Sequence, residues 1–157
     1  MSEELADIKN VHNGNRFYKV DLHVHSPGSK DTNWGDINAF QFLELFVDKG
    51  IHLIAVTDHN SGQRVDTLKK AARTLRKNNK RDIHVIPGAE ISVSGIHLVI
   101  LFPDDTASDK IQHFLSRINI EPAEAGAPGI ITTQSLADVC CIAHSPEFNG
   151  IVVGVHC

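Results

Sequence analysis

Cysteine is scarce in this chain. Its 157 residues hold three, Cys140, Cys141 and Cys157, with neither a CxxC pair nor an even set among them. That excludes a zinc ribbon and a disulfide framework, and fits a reducing, cytoplasmic setting. Long hydrophobic runs are lacking too: none approaches the ~20 residues that a membrane helix requires. The opening MSEELADIKN is polar and acidic, unlike a secretory signal. Positive charge is in deficit, with 15 Lys plus Arg against 19 Asp plus Glu and a net charge of -4. No global basic field therefore draws the chain to nucleic acid or to an anionic membrane. Internal repeats, low-complexity segments, a P-loop, a helix-turn-helix and a Gly-rich cofactor motif are all absent.

What is present is an ordinary globular composition, 41% hydrophobic and 22% charged, over a length that gives one domain a real core. Residues 1–15 read as a loose polar arm, and 16–157 as the domain. Phe17–Val24 (FYKVDLHV) predicts a strand and Ser26–Gly35 a loop. Asp36–Lys49 predicts a helix with Ile37, Phe40, Leu43, Phe46 and Val47 on one face, capped by Asp36 and ended by Gly50. Ile51–Thr57 reads as a strand buried on both sides. Gln63–Asn79 predicts a helix with Val65, Leu68, Ala72 and Leu75 as its buried stripe. Short strands are expected at Ile83–Ile86 and Ile91–Val93, around Pro87-Gly88, and a longer one at Ile96–Phe102. Ser108–Ile118 predicts a helix using Ile111, Phe114, Leu115 and Ile118. Glu121–Gly129 reads as a flexible loop, Gln134–Asp138 as a short helix, and Val139–Ala143 and Ile151–Val155 as strands. Cys140 and Cys141 then become packing residues. This alternation indicates an α/β fold with a mainly parallel sheet, in which functional groups gather at the C-terminal ends of strands.

Ten histidines give that rule something to act on. His23 and His25 close the first strand as His-x-His, and alternation along a strand points both at one face. Asp58 and His59 close the second strand in Thr-Asp-His-Asn. Glu90 follows the next strand in Pro-Gly-Ala-Glu-Ile-Ser. His97 lies near the start of its strand, as in an antiparallel one, and His144 ends Val-Cys-Cys-Ile-Ala-His. Taken singly, each has an ordinary reading: a satisfied core or surface histidine, a strand-end cap, a turn carboxylate. Together, buried His and Glu at several strand ends are costly unless paired or bound to metal, and one metal cluster accounts for them all.

Val-Asp-Leu-His-Val-His-Ser, Val-Thr-Asp-His-Asn, Pro-Gly-Ala-Glu-Ile-Ser with the following His-Leu-Val, and Ile-Ala-His-Ser-Pro resemble the successive motifs of the PHP (polymerase and histidinol phosphatase) superfamily. The likeness runs from about Phe17 to Pro146. The Arg-Phe-Tyr-Lys-Val-Asp-Leu-His opening and the Asp-His-Asn-Ser-Gly segment look most like the PHP domains at the front of SMC-type ATPases. The resemblance implies a distorted (β/α)7 barrel holding two or three divalent ions. By the same resemblance His23 and His25 bind one ion with Glu90, which bridges to an ion held by His97 and His144. His59 binds another, helped by Asp31 in the loop after His25, while Asp58 orients a ligand. The family's C-terminal Asp-x-His is missing, since Gly154 stands two residues before His156, so the barrel is expected to be incomplete, and a C-terminal segment or another chain to complete it.

The implied chemistry is hydrolysis of phosphoester bonds by a metal-activated water. Mixed His and carboxylate donors suit Zn²⁺, Mn²⁺ or Fe²⁺, and paired ions activate water and clamp phosphate oxygens. Ligation needs neutral imidazoles, so activity is expected to fall below about pH 6. The second helix carries Lys69, Lys70, Arg73, Arg76 and Lys77, followed by Lys80 and Arg81, which could track a nucleic-acid backbone or form a solvated outer face. Arg16 is a candidate phosphate contact. Three readings follow: a nuclease acting on DNA or RNA beside an ATPase partner outside this chain, a phosphatase for a small phosphomonoester, and a non-catalytic metal-binding or interaction module.

Overall fold

The computed structural model describes residues 17–79 and 82–155. The N-terminal arm, Arg16, Lys80, Arg81, His156 and Cys157 lie outside them. Within the described residues the chain runs β1 (Val20–Val24), α1 (Ala39–Val47), β2 (Leu53–Val56), α2 (Val65–Asn79), β3 (His84–Val93), β4 (Ile96–Leu101), α3 (Ser108–Arg117), a short 3₁₀ turn (Pro122–Glu124), α4 (Leu136–His144) and β5 (Ile151–Gly154). The five strands form one sheet in chain order. It curls into an open half-barrel, a partial form of the α/β barrel that the resemblance implies.

The sheet is parallel only in its first half. β1 pairs parallel with β2 and β2 with β3, whereas β3 pairs antiparallel with β4 and β4 with β5. The two short strands expected around Pro87-Gly88 are one continuous strand, because the changeover falls there. Pro87, with no N–H to give, is the last residue in register with β2 (opposite Val56), and Gly88 is the first in register with β4. A Cβ on Gly88 would stand 2.9 Å from the Ile100 carbonyl oxygen and 3.1 Å from that of Val56. Only glycine lets the three backbones close at this point.

Two apolar clusters cover the outer face. Val24, Ile54, Val56, Val85, Phe42, Leu43, Leu68 and Leu75 join β1–β3 to α1 and α2. Ala89, Ile91, Val93, Ile100, Phe114, Leu115, Val139 and Phe148 join β3 and β4 to α3 and α4. Since Ala89, Ile91 and Val93 point outward, alternation turns Glu90 and Ser92 to the inner face. The α2 and α3 stripes match the predicted ones. In α1 the buried residues are Phe42 and Leu43 while Phe40 is exposed, because the helix starts later, on an Asn38 cap whose capping box with Gln41 is complete.

The strand expected at Val139–Ala143 is instead part of helix α4, which also absorbs the short helix expected at Gln134–Asp138. Ser135 caps it by accepting from the Asp138 N–H, and Val139 and Ala143, four apart, are its buried residues. The β-branched and cysteine-rich run lies on a helix because the cap and the i, i+4 burial decide it. Cys140 is half-buried and Cys141 exposed, so Cys141 is not a packing residue. No helix among the described residues is long and apolar enough to cross a membrane.

Candidate metal centre

Four segments bring their chemistry to the inner face of the sheet. β1 supplies His23, and His25 follows its last residue. β2 leads through Thr57 and Asp58 to His59, which bridges in parallel to Glu90 of β3. Glu90 sits opposite Val99 in β4, and Ser92 opposite His97. His97 and Val99 are two apart, so the His97 imidazole lies on the Glu90 face.

Glu90 is the hub. Its side chain is fully buried, yet Oε2 lies 2.9 Å from His23 Nε2 and 2.7 Å from His25 Nε2, and Oε1 lies 2.5 Å from His97 Nδ1. The two Nε2 atoms of His23 and His25 are only 3.1 Å apart. On the other side of His25, Asp31 Oδ2 stands 3.6 Å from its Nδ1 and 3.3 Å from His59 Nε2, and His59 Nδ1 is 3.7 Å from Glu90 Oε2. The donor atoms thus form two overlapping groups, His23–His25–Glu90 and His25–Asp31–His59.

Electrostatics matches this picture. Burial alone would raise the Glu90 carboxyl, but hydrogen bonds from His25 and His97 and the charges of His59 and His23 hold it down to about 2. The hydrogen bond to Glu90 raises His25 above its ordinary value against the effect of burial. Burial lowers His59, which favours the neutral, ligating form.

The donor set fits divalent ions. Ligands about 2.0–2.2 Å from an ion stand about 2.8–3.1 Å apart at right angles and about 3.3–3.6 Å apart in a tetrahedron. The first group and the Asp31 contacts of the second fall close to those spans. Mixed imidazole and carboxylate donors suit zinc, manganese or iron better than calcium. A neutral imidazole has one lone pair, so when His25 offers Nε2 to the first group its Nδ1–H faces Asp31, an arrangement that fixes ring orientation and basicity.

Asp58 does not touch an imidazole. Fully buried, it accepts from the Ser26 N–H and hydroxyl, each at 2.6 Å, and from the Ser29 hydroxyl at 3.2 Å. Burial raises its pKa and those hydrogen bonds oppose the rise. Ser29 Oγ in turn accepts from the His59 N–H at 2.9 Å. Asp58 therefore acts on the loop that links His25 to Asp31. Trp34 adds a further tie, donating from Nε1 to the His25 carbonyl at 2.9 Å. Sequence reasoning passed over Ser26, Ser29 and Trp34; only the serine of the His-x-His-Ser motif carried any signal.

His144 is not brought to this cluster. It ends α4, is exposed, and no hydrogen bond, ion pair or ring contact joins it to the other candidates. Three more histidines serve elsewhere: His84 pairs with Asp104 at 3.0 Å, His113 with Glu147 at 2.9 Å, and His52 meets the Tyr18 ring. Arg16 lies outside the described residues.

The basic helix is partly spoken for. Lys69 is buried and donates to the Asp104 and Thr106 carbonyls, and Arg76 pairs with Asp82 at 3.1 Å. Beside His23 and His25 an open cleft of about 480 Å³ is lined by Asp21, Thr32, Asn33, Trp34 and Phe46. No Lys or Arg lines it among the described residues.

Among the solved structures similar to the chain are these two. One is an amidohydrolase from Chromobacterium violaceum with bound sulfate and no metal, 26% identical with a TM-score of 0.44, matched over 64% of this chain and 33% of that one. The other is a candidate metal-dependent phosphoesterase from Bifidobacterium adolescentis, 16% identical with a TM-score of 0.48, matched over 81% of this chain and 50% of that one. The chain thus spans half or less of the length of either. No curated protein matches it. The family model of the PHP domain matches residues 21–150, a span that holds all seven candidate metal ligands, and the chain belongs to the PHP domain family.

Proposed function

We propose that the chain is a metal-dependent phosphoester hydrolase. His23, His25 and Glu90 would hold one divalent ion of the zinc, manganese or iron type, and Asp31 and His59 a second, with His97 at Oε1, the other oxygen of Glu90. The observation that carries this reading is the fully buried Glu90 carboxylate with three imidazole nitrogens 2.5–2.9 Å from its oxygens. A buried carboxylate surrounded so densely by imidazoles is what a metal site needs and what a packed core avoids. Ions bound there supply Lewis-acid charge and lower the pKa of water. The chain itself contributes the charge of Glu90, the ring orientation that Asp31 gives His25, and the loop that Asp58 holds through Ser26 and Ser29. A cytoplasmic setting belongs to the same reading, supported by the free thiols of Cys140 and Cys141.

Of the two substrate classes, a small phosphoester is better supported than nucleic acid. The cleft beside His23 and His25 has the size of a small-molecule site. α2 runs back from the metal end of β2 to the start of β3, so Arg73, Arg76 and Lys77 stand about 12–18 Å along it from Val65, away from Glu90. The test is metal content of the purified chain and of a His23→Ala, His25→Ala variant, followed by turnover of p-nitrophenyl phosphate, bis-p-nitrophenyl phosphate and an oligonucleotide. Two or three equivalents of metal, lost in the variant together with turnover, are expected. No metal in the wild-type chain overturns the reading. Preferential, salt-sensitive cleavage of the oligonucleotide would move nucleic acid to first place.

A further inference from the structure

We infer that the Glu121–Gly129 segment is a strap that positions the Asp31–His59 half of the metal centre, with Gly126 as its key residue; the inference rests on the metal-centre reading above. The segment reads as a flexible loop in sequence, but the fold ties it down at both ends and in the middle. Before it, the buried Ile120 donates its N–H to the Leu115 carbonyl at 3.0 Å. After it, Ile131 bridges in parallel to Ser92 and the Thr132 N–H donates to the Ser92 carbonyl at 3.0 Å. Within it, a capping box between Glu121 and Glu124 closes the 3₁₀ turn.

The middle tie goes to the site. The Gly126 N–H donates to the His59 carbonyl at 2.7 Å, and the Gly126 carbonyl accepts from the Lys30 N–H at 2.8 Å. Lys30 directly precedes Asp31. One residue of the strap thus links the backbone of one candidate ligand to the backbone beside the other. A second link runs from Asn60 Nδ2, next to His59, to the Ala127 carbonyl at 2.8 Å. Gly126 is buried with φ +78, and a Cβ there would fall far inside contact distance of the Gly28 carbonyl oxygen, in the same loop as Asp31. Any side chain must push the Asp31 loop away from His59 or pull the strap off it. Glu90 stands one backbone bond further on, its carbonyl accepting from the Asn60 N–H at 2.9 Å, so either movement falls first on the Asp31–His59 half. The strap is therefore a positioning device chiefly for that half of the centre.

The experiment titrates chelator-stripped full-length chain with Co²⁺, reading stoichiometry, affinity and the visible absorption of each equivalent, in the wild type, Gly126→Ala, Asn60→Gly and His59→Ala. Asn60 has φ +49, so glycine keeps its backbone while removing the link to Ala127 together with the buried side chain that makes it. The expected result is two or more equivalents in the wild type. In Gly126→Ala one equivalent keeps its affinity and spectrum while another weakens at least about tenfold, the size of effect known for groups that orient ligands, mirroring the loss in His59→Ala. Asn60→Gly shows the same selectivity more weakly. Unchanged affinities in both strap variants overturn the inference, as does an equal loss of all equivalents in Asn60→Gly. If circular dichroism shows Gly126→Ala to be unfolded, Asn60→Gly decides alone. A single equivalent in the wild type overturns the strap but not the His23–His25–Glu90 group, whereas no binding at all overturns the metal-centre reading beneath it.

Discussion

Glu90→Gln should convert the metal-free centre from a pH-dependent source of stability into a nearly pH-independent one. Glu90 titrates at about 2 instead of its ordinary 4.5. A drop of that size corresponds to on the order of 3 kcal/mol of differential stabilisation of the carboxylate. Being depressed, it contributes above pH 4.5, and the contribution disappears as the pH falls through about 2. His25, raised above 6.5 by its hydrogen bond to Glu90, contributes below pH 6.5 and ceases to as the pH rises through its raised value. The two overlap in full only between about pH 4.5 and 6.5. Glutamine keeps the volume and one acceptor but not the charge. In chelator-treated protein, urea unfolding should therefore show a penalty on the order of 3 kcal/mol near pH 5.5, and a smaller one at a pH above the raised value of His25, where that partner has lost its charge. The variant should also bind Zn²⁺ at least about 100-fold more weakly, since removing an orienting partner already costs 10–100-fold. An equal penalty at both pH values, or a variant more stable than the wild type near pH 5.5, would refute the coupling between Glu90 and its imidazoles.

Further predictions follow from individual contacts. Asp58→Asn removes the charge that strengthens the hydrogen bonds from Ser26 and Ser29, so denaturant unfolding should show a loss of about 1–3 kcal/mol. Gly88→Ala places a Cβ against two backbone carbonyls and should lower stability by about 1–3 kcal/mol, read as a drop in melting temperature. His144→Ala, at the exposed end of α4, should leave metal stoichiometry unchanged; the loss of one equivalent would return His144 to the ligand set. The double variant Arg73→Glu, Lys77→Glu should leave small-phosphoester turnover within about twofold, because those charges stand about 12–18 Å along α2 from Val65, beyond the Debye length of about 8 Å at physiological salt; a larger fall would tie α2 to the substrate.

The amino-acid order by itself determined which residues stand ready for chemistry. Alternation along the first strand and the residue after it sends His23 and His25 to one face, so local periodicity carried that pair, whereas Glu90 and His97 share a face only through the pairing of β3 with β4. The α2 and α3 stripes were legible for the same reason, since helical spacing is a property of the segment. Other features were not local. Residues 139–143 carry a strand-like composition, and only the Ser135 cap and the packing of Val139 and Ala143 on the sheet make them helix, which also takes His144 off a strand end. Pro87 suggested a break, yet β3 runs through it because its two halves have different partners on either side. The tie from Gly126 to His59 and to Lys30 joins positions 67 and 96 residues apart, and nothing in the Glu121–Gly129 segment announces it. Tertiary structure decided these points because each depends on which distant backbone lies alongside, and periodicity within a segment holds no information about that.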